Sequence, residues 1–374
     1  MMFLPSGSKD DIGRIVSSRN RVFEVFRQVI SNRGFHEIST PAVEYADTFT
    51  NKHVGMSLQG LLKWFNRDGA IEVLRPDWTT AIARALAKQS HHPQKWAYQG
   101  SVFRSDKPGM EMRQAGIEIV DYPPFLGESE CLLMAIDFLE GLNIEQYLIE
   151  LGHTGIFDEL TKQLTLSEEE MEALRLAMHD KRKDEVYKLA LNKGHLDIAE
   201  ELLHLVDAYG SFTTILMEYE QRWEKHPKLL NILKHLKKVA DMLDAIGGEE
   251  VIVDLGKVKK LPYYSGIMFR GFLKETGATC FSGGRYDQLY DQFGQRRSAV
   301  GLAFDVDVLS EQIDIDPKKE TICIIASDEK LVYAEKLRQQ FKNSIVDIQY
   351  EVPEINSYDK VLYINGSEGR YEVN

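Results

Sequence analysis

The sequence predicts an α+β fold: an antiparallel sheet flanked by helices over residues 1–311, a helical insertion within it at 155–246, and a small α/β domain at 317–374. Three observations predict it. Successive β-like runs are separated by only a short helical stretch, a long block of helical periodicity then intervenes, and strand signals resume after that block so that the first sheet is completed late in the chain.

The elements follow in order. Between Asp10 and Gly34, the residues Val22, Phe23, Val25, Phe26, Val29 and Ile30 keep helical spacing, and Gly34 stands where a left-handed C-terminal cap belongs. FHEISTPAVEYAD (35–47) is extended but interrupted by Pro41, which suits an edge or interface strand. AIEVLRP (70–76), WAYQGSVFR (96–104) and MRQAGIEIVD (112–121) read as antiparallel neighbours in one sheet, with a helix over 78–89 between the first two, and EQYLIELGH (145–153) adds a strand. The helical block has a capping-box start at Ser167 and Glu170 and an apolar stripe of Leu202, Leu205, Val206 and Tyr209. VIVDLG (251–256), YYSGIMFRGF (263–272), ATCFSGG (278–284) and AVGLAF (299–304) complete the sheet. After Pro317 come the TICIIAS strand, the DEKLVYAEKLRQQF helix and the IVDIQYEV and KVLYING strands.

Composition narrows the function. MMFLPSGSKDD lacks the pattern of a signal peptide and no apolar run approaches the roughly 18 residues of a membrane span, so a cytoplasmic protein is expected. Cys131, Cys280 and Cys323 are odd in number and lack CxxC pairing, which argues for buried reduced thiols rather than disulfides or zinc. The formal charge of −13, with no concentrated basic run, argues against gripping a long nucleic acid; HDKRKDEVYK near 179–188 alternates with acids like a solvated helix face.

Four segments set polar groups among apolar strands. In LRPDWTTAIARA (74–85), Asp77 and Thr79 open a helix, where a plain N-cap explains them equally well. YQGSVFRSDKPGMEMRQAGIEI (98–119) is a hairpin with Arg104 on its outgoing strand; period two puts Gln114, Gly116 and Glu118 on one face of its return strand. KKLPYYSGIMF (259–269) carries Tyr263 and Tyr264, expected on opposite faces with one of them in the core. FSGGRYDQLYDQFG (281–294) has paired glycines that let backbone approach a ligand, although such pairs are commoner in plain turns.

Taken together, in this order and layout, the four segments resemble the catalytic domain of class II aminoacyl-tRNA synthetases, and within that class the histidyl-tRNA synthetase family. There LRPE-T, an FR hairpin ending in Q-x-G-x-E, RGLDYY and GGRYD line one pocket, and the resemblance spans roughly residues 5–310. It implies that Asp77, Thr79 and Gln114 hold the amino group of histidine, that Glu118 and Tyr264 read its imidazole with Tyr286 nearby, and that Tyr263 and Lys259 belong to the same pocket. A carboxylate and a phenol together match an imidazole's donor and acceptor.

The sequence also departs from that family. The arginine that clamps the ATP triphosphate falls at Val308. RGLDYY begins here with Lys259, and Lys260 and Pro262 replace its glycine and aspartate. The hairpin loop SDKPGMEM is short, lacks further arginines and has Asp106 where glutamate is usual, leaving Arg104 as the residual nucleotide-site residue. Losing two or three charge-assisted hydrogen bonds removes about 4 to 8 kcal/mol, or roughly a thousandfold to a millionfold in rate. Lys259 offers no bidentate fork. The C-terminal domain is short for an anticodon-binding domain.

A synthetase-like body so altered looks like the ATP phosphoribosyltransferase regulatory subunits. That resemblance implies no catalysis and no cofactor, a homodimer through the first helix and the Pro41 strand, and a short-form catalytic subunit as partner, as a hetero-octamer. It further implies histidine as ligand and feedback inhibitor, with no nucleic acid and no membrane. An active histidyl-tRNA synthetase with divergent motifs is the alternative, distinguishable by ATP–pyrophosphate exchange, and an accessory RNA-binding factor is disfavoured by the charge.

Overall fold

The computed structural model describes residues 3–89, 94–247, 250–258, 262–313, 319–351, 358–365 and 370–373. It comprises two units, Met1–Ile313 and Asp314–Asn374.

Helix α1 (Arg14–Asn32) opens the first unit, and Val22, Val25, Phe26 and Ile30, three or four residues apart, share its buried face. The helix ends at Arg33 and Gly34, where a φ of 70° reverses the chain in a conformation that glycine adopts without steric cost. Pro41 falls between β1 (His36–Glu37) and β2 (Val43–Tyr45), each at the edge of its own sheet. After α2 (Asp47–Thr50), β3 (Lys63–Phe65) and β4 (Ile71–Leu74) join β2 in a small antiparallel sheet of order β2-β4-β3. This corrects the expectation that 70–76 sits in one sheet with 96–104 and 112–121. Both hydrogen-bonding edges of β4 are taken, by β2 and by β3, so none is left for a further strand.

The chain then runs through α3 (Trp78–Ala87), β5 (Lys95–Phe103), β6 (Glu111–Val120), α4 (Pro124–Gly141) and β7 (Tyr147–His153). The insertion follows as α5 (Thr154–Thr161), α6 (Glu168–His179), α7 (Lys183–Leu191), α8 (Leu196–Val206), α9 (Phe212–Arg222) and α10 (Pro227–Ala245). Both halves of the capping box at Ser167 and Glu170 are formed. The block also contains one short strand, β8 (Tyr209–Ser211), which pairs with β9 (Glu250–Asp254) and extends the main sheet. Then come β10 (Ile267–Leu273), β11 (Thr279–Arg285), β12 (Ala299–Asp305) and α11 (Val306–Gln312).

The main sheet has nine strands in the order β1-β5-β6-β12-β11-β10-β7-β9-β8. Its pairs are antiparallel apart from β1 with β5 and β7 with β9. Side chains alternate between its two faces. One face sends Ile117, Phe269, Phe281 and Phe304 into the main core with α1 and α4, where the rings of Phe26, Phe138 and Phe304 meet edge-on at centroid distances of 4.6 to 6.3 Å. The other face carries Tyr98, Gly116, Glu118, Ser282 and Arg270, and over it lies a second cluster of Trp78, Ile82, Tyr263, Tyr286 and Tyr290. The site sits on this second face.

The second unit is a sheet of order β14-β13-β15-β16, formed by β13 (Thr321–Ile325), β14 (Ile345–Gln349), β15 (Lys360–Asn365) and β16 (Arg370–Val373), with α12 (Leu331–Arg338) against it. Ile322, Ile324, Ala334, Leu337 and Leu362 form its own core.

Candidate functional site

Small residues make the floor of the site. Across β6, β12 and β11 the register aligns Gly116, Ala303 and Ser282 in one row and Glu118, Gly301 and Gly284 in the next. A Cβ on Gly301 would lie 2.0 Å from Glu118 Oε2, and one on Gly116 would lie 2.4 Å from the Tyr98 hydroxyl, so these glycines admit the polar groups that the site uses. Above this floor lies a cavity of about 500 Å3. Asp77, Thr79, Arg104, Gln114, Tyr263, Tyr264 and Tyr286 all line it. Lys259 lies outside the described residues.

Glu118 stands one layer beneath this wall and is 1% exposed. Its Oε1 accepts a 2.7 Å hydrogen bond from Thr79 Oγ1 and its Oε2 accepts one from the Tyr286 hydroxyl. Burial disfavours the charged carboxylate and raises its pKa to about 8, against the lowering influence of Tyr286 and Thr79. Burial also pushes the phenols of Tyr264 and Tyr286 well up, so both stay protonated donors. Asp77 does what a helix N-cap does: Oδ1 accepts from Thr79 N at 3.2 Å and Oδ2 from Thr80 N at 2.9 Å. The capping and pocket roles coincide, because α3 begins at the cavity wall.

The tyrosine pair departs from expectation. Tyr263 and Tyr264 do not point to opposite faces: their rings stand 5.1 Å apart and both line the cavity. Period-two alternation requires a strand, and β10 starts only at Ile267. The arginine of GGRYD turns away from the cavity: Arg285 Nε donates to Glu128 Oε1 at 2.7 Å, and His235 of α10 holds the other oxygen of Glu128 at 2.6 Å. Two lining cations escaped the sequence reading, Lys257 and Arg270. Buried Lys257 pairs with buried Glu150, and burial lowers its pKa to about 8 despite that partner. The alternation along β10 could have pointed to Arg270, since it shares a face with Met268 rather than with Phe269.

The histidyl-tRNA synthetase family model matches residues 10–309. An ATP phosphoribosyltransferase regulatory subunit of Listeria monocytogenes is 33% identical over 94% of this chain and 90% of its own. Another, from Clostridium acetobutylicum, is 30% identical over 83% of this chain and 79% of its own. The chain belongs to the ATP phosphoribosyltransferase regulatory subunit family, within the histidyl-tRNA synthetase-like proteins. Solved structures agree on the fold. A Bacillus halodurans protein described as an ATP phosphoribosyltransferase regulatory subunit/histidyl-tRNA synthetase superposes with a TM-score of 0.80 at 24% identity, covering 97% of this chain and 98% of that one. A histidyl-tRNA synthetase from Nostoc sp. PCC 7120 gives 0.81 at 18%, covering 100% and 97%.

Within this family scaffold, Val308 packs against the main core from α11 and is absent from the cavity wall. Arg104 does line the cavity, its Nε donating to Pro76 O at 3.0 Å. Among the described residues no group of three or more His, Cys, Asp or Glu could hold a metal ion, and the three cysteines are free and buried. No described helix is long and apolar enough to cross a membrane.

Proposed function

We propose that this chain is a non-catalytic subunit that assembles with a short-form ATP phosphoribosyltransferase at the first step of histidine biosynthesis, recognises histidine in the cavity, and conveys feedback inhibition without adenylating or charging anything. The observation that carries the reading is Val308. The position that the resemblance gives to the triphosphate-clamping arginine holds a half-buried apolar side chain packed against the core, while Asp77, Thr79, Gln114, Tyr264 and Tyr286 still line one cavity above Glu118. Of the described cations that line the cavity, Arg104 alone comes from the hairpin, while Lys257 is engaged by Glu150 and Arg270 stands four strands away on β10, a poor cradle for a triphosphate, which needs several fixed cations or a metal.

The charge supports the absence of a nucleic-acid surface. Acidic residues outnumber basic ones, 58 to 45. Several arginines are engaged in ion pairs: Arg19 with Asp11 and Asp307, Arg33 with Glu130 and Asp137, and Arg84 with Glu44. Exposed Val16 on α1 and exposed Val43 and Tyr45 on β2 support a homodimer through α1 and the Pro41 segment, the core of a hetero-octamer.

Regulation by histidine needs only that the amino acid bind one arrangement of the complex more tightly than another. The test is co-purification with a short-form transferase, assayed with and without histidine. The transferase is expected to gain activity from this chain and to lose it as histidine is added. Independent purification of the two proteins, or measurable ATP–pyrophosphate exchange by this chain alone, would overturn the reading.

A further inference from the structure

The histidine reading leaves one charge in the cavity unexplained. Arg270 lines the cavity, is half-buried, and has no hydrogen bond or ion pair among the described residues. Its cationic neighbour on the cavity wall is already matched: Lys257 pairs with Glu150, which lies directly across from Arg270 on β7, while the Lys181–Asp254 pair lines a second, smaller cavity on the far side of Arg270 and Lys257. This end of the cavity therefore keeps one net positive charge. Arg104, by contrast, hydrogen-bonds the residue before Asp77, and Asp106 follows it closely, so carboxylates already stand in its own segments.

Arg270 shares its sheet face with Glu118. Three strand spacings of roughly 4.8 Å and an offset of two residues along the strand put their Cα atoms about 16 Å apart. The floor between them is Gly301, Ala303, Gly284 and Ser282, the Tyr264 ring stands over Gly284, and the cavity of about 500 Å3 that Tyr264, Tyr286, Ser282 and Arg270 all line is large enough for an amino acid. Ser282, directly across from Arg270 on β11, adds a hydroxyl donor.

We infer that Arg270, with Ser282, anchors the α-carboxylate of the histidine whose imidazole is read at the Glu118 end, making Arg270 the residue that separates the free amino acid from its carboxylate-free analogues. A guanidinium offers a carboxylate two parallel donors, and a half-dry site strengthens them. The inference rests on the histidine reading of this pocket, and the experiment separates the two. Calorimetry would compare L-histidine with L-histidinol, in which the carboxylate is replaced by CH2OH, on the wild-type chain, Arg270→Met and Arg270→Lys. Wild type is expected to prefer histidine by roughly 10- to 100-fold, the range of one charge-assisted hydrogen-bonding contact. Arg270→Met should lose that preference while its histidinol affinity stays within about twofold of wild type, and Arg270→Lys should fall between, since a lysine keeps the charge without the fork. An unchanged histidine-to-histidinol ratio in Arg270→Met, or in Arg270→Lys should the methionine variant not fold, would overturn the inference alone. Wild-type protein that binds neither compound would overturn both it and the pocket reading.

Discussion

At the scale of one residue, the Glu118 carboxyl turns the histidine proposal into a pH curve. Its pKa is raised to about 8, whereas free histidine's imidazole titrates near about 6.5. A complex in which the two share one proton, through the Thr79 or Tyr286 hydroxyl that separates Glu118 from the cavity, has the same proton count as neutral imidazole plus protonated Glu118, so between about pH 6.5 and 8 no net proton is exchanged on binding and affinity is flat. Below that window the free imidazole must shed a proton; above it the free protein must take one up. Affinity should therefore fall about tenfold per pH unit on both sides. Glu118→Gln should weaken binding and lose the upper limb while keeping the lower one. Calorimetry in buffers of different ionisation enthalpy reads the proton count directly, and a wild-type curve still rising above pH 8 would remove Glu118 as the imidazole's partner. The sequence placed Glu118 on the right face, because alternation within a strand is enough for that. Its burial beneath Thr79 and Tyr286 was not legible, since the depth of a carboxylate depends on glycines in other strands, Gly301 above all. The pair Tyr263 and Tyr264 failed for the opposite reason: a strand period was applied to residues that precede the strand.

At the scale of elements, the arginine of GGRYD acts as a fastener. Arg285 at the end of β11 bonds Glu128 on α4, whose other oxygen is held by His235 on α10, so three separate elements meet on one buried carboxylate. Burial alone would raise the Glu128 carboxyl, but His235 and Arg285 hold it below the usual range. A depressed carboxyl contributes stability that is present above its unfolded pKa and is lost as pH falls through the folded value. Glu128→Ala removes one of the two carboxylates that Arg285 engages, leaving Asp287 at 3.1 Å, and about 1.5 to 3 kcal/mol should be lost at neutral pH. Urea unfolding at pH 7 and pH 4 checks this: the gap between wild type and variant should narrow in acid. An equal gap at both pH values would show that the carboxylate's charge is not what holds the three elements. Nothing within GGRYD tells a core-facing arginine from a ligand-facing one, because its direction is set by helices far away in sequence. β4 was misplaced on similar grounds. Its residues read correctly as a strand, but which sheet takes a strand depends on which edges are free, and β3, the neighbour that closes its second edge, went unread.

For the whole molecule, the proposed function raises the question of whether one lost arginine or a rebuilt surface would separate this chain from an adenylating enzyme. Were it a single loss, Val308→Arg would restore activity. The geometry argues for a rebuilt surface. Val308 is packed against the main core, off the cavity wall, and the preceding residue, Asp307, is tied at 2.8 Å to Arg19 of α1 and at 3.0 Å to the Arg113 amide, which fixes the start of α11. An arginine placed there would give up the contact that half-buried Val308 makes with the core and would have to reach a phosphate with Arg104 as the one cation on the hairpin side of the cavity. Rate losses of roughly a thousandfold or more accompany removal of two such contacts, and restoring one of them leaves the other missing. Val308→Arg is therefore expected to show no ATP–pyrophosphate exchange above background in the presence of histidine, with a melting temperature lowered by the lost packing. Histidine binding should persist in the same variant, because the cavity wall is untouched. Exchange appearing in that single variant would mean that the adenylation site had survived intact but for one side chain, and that the regulatory role rests on far less remodelling than the packing of Val308 and the ion pairs that hold Asp307 imply.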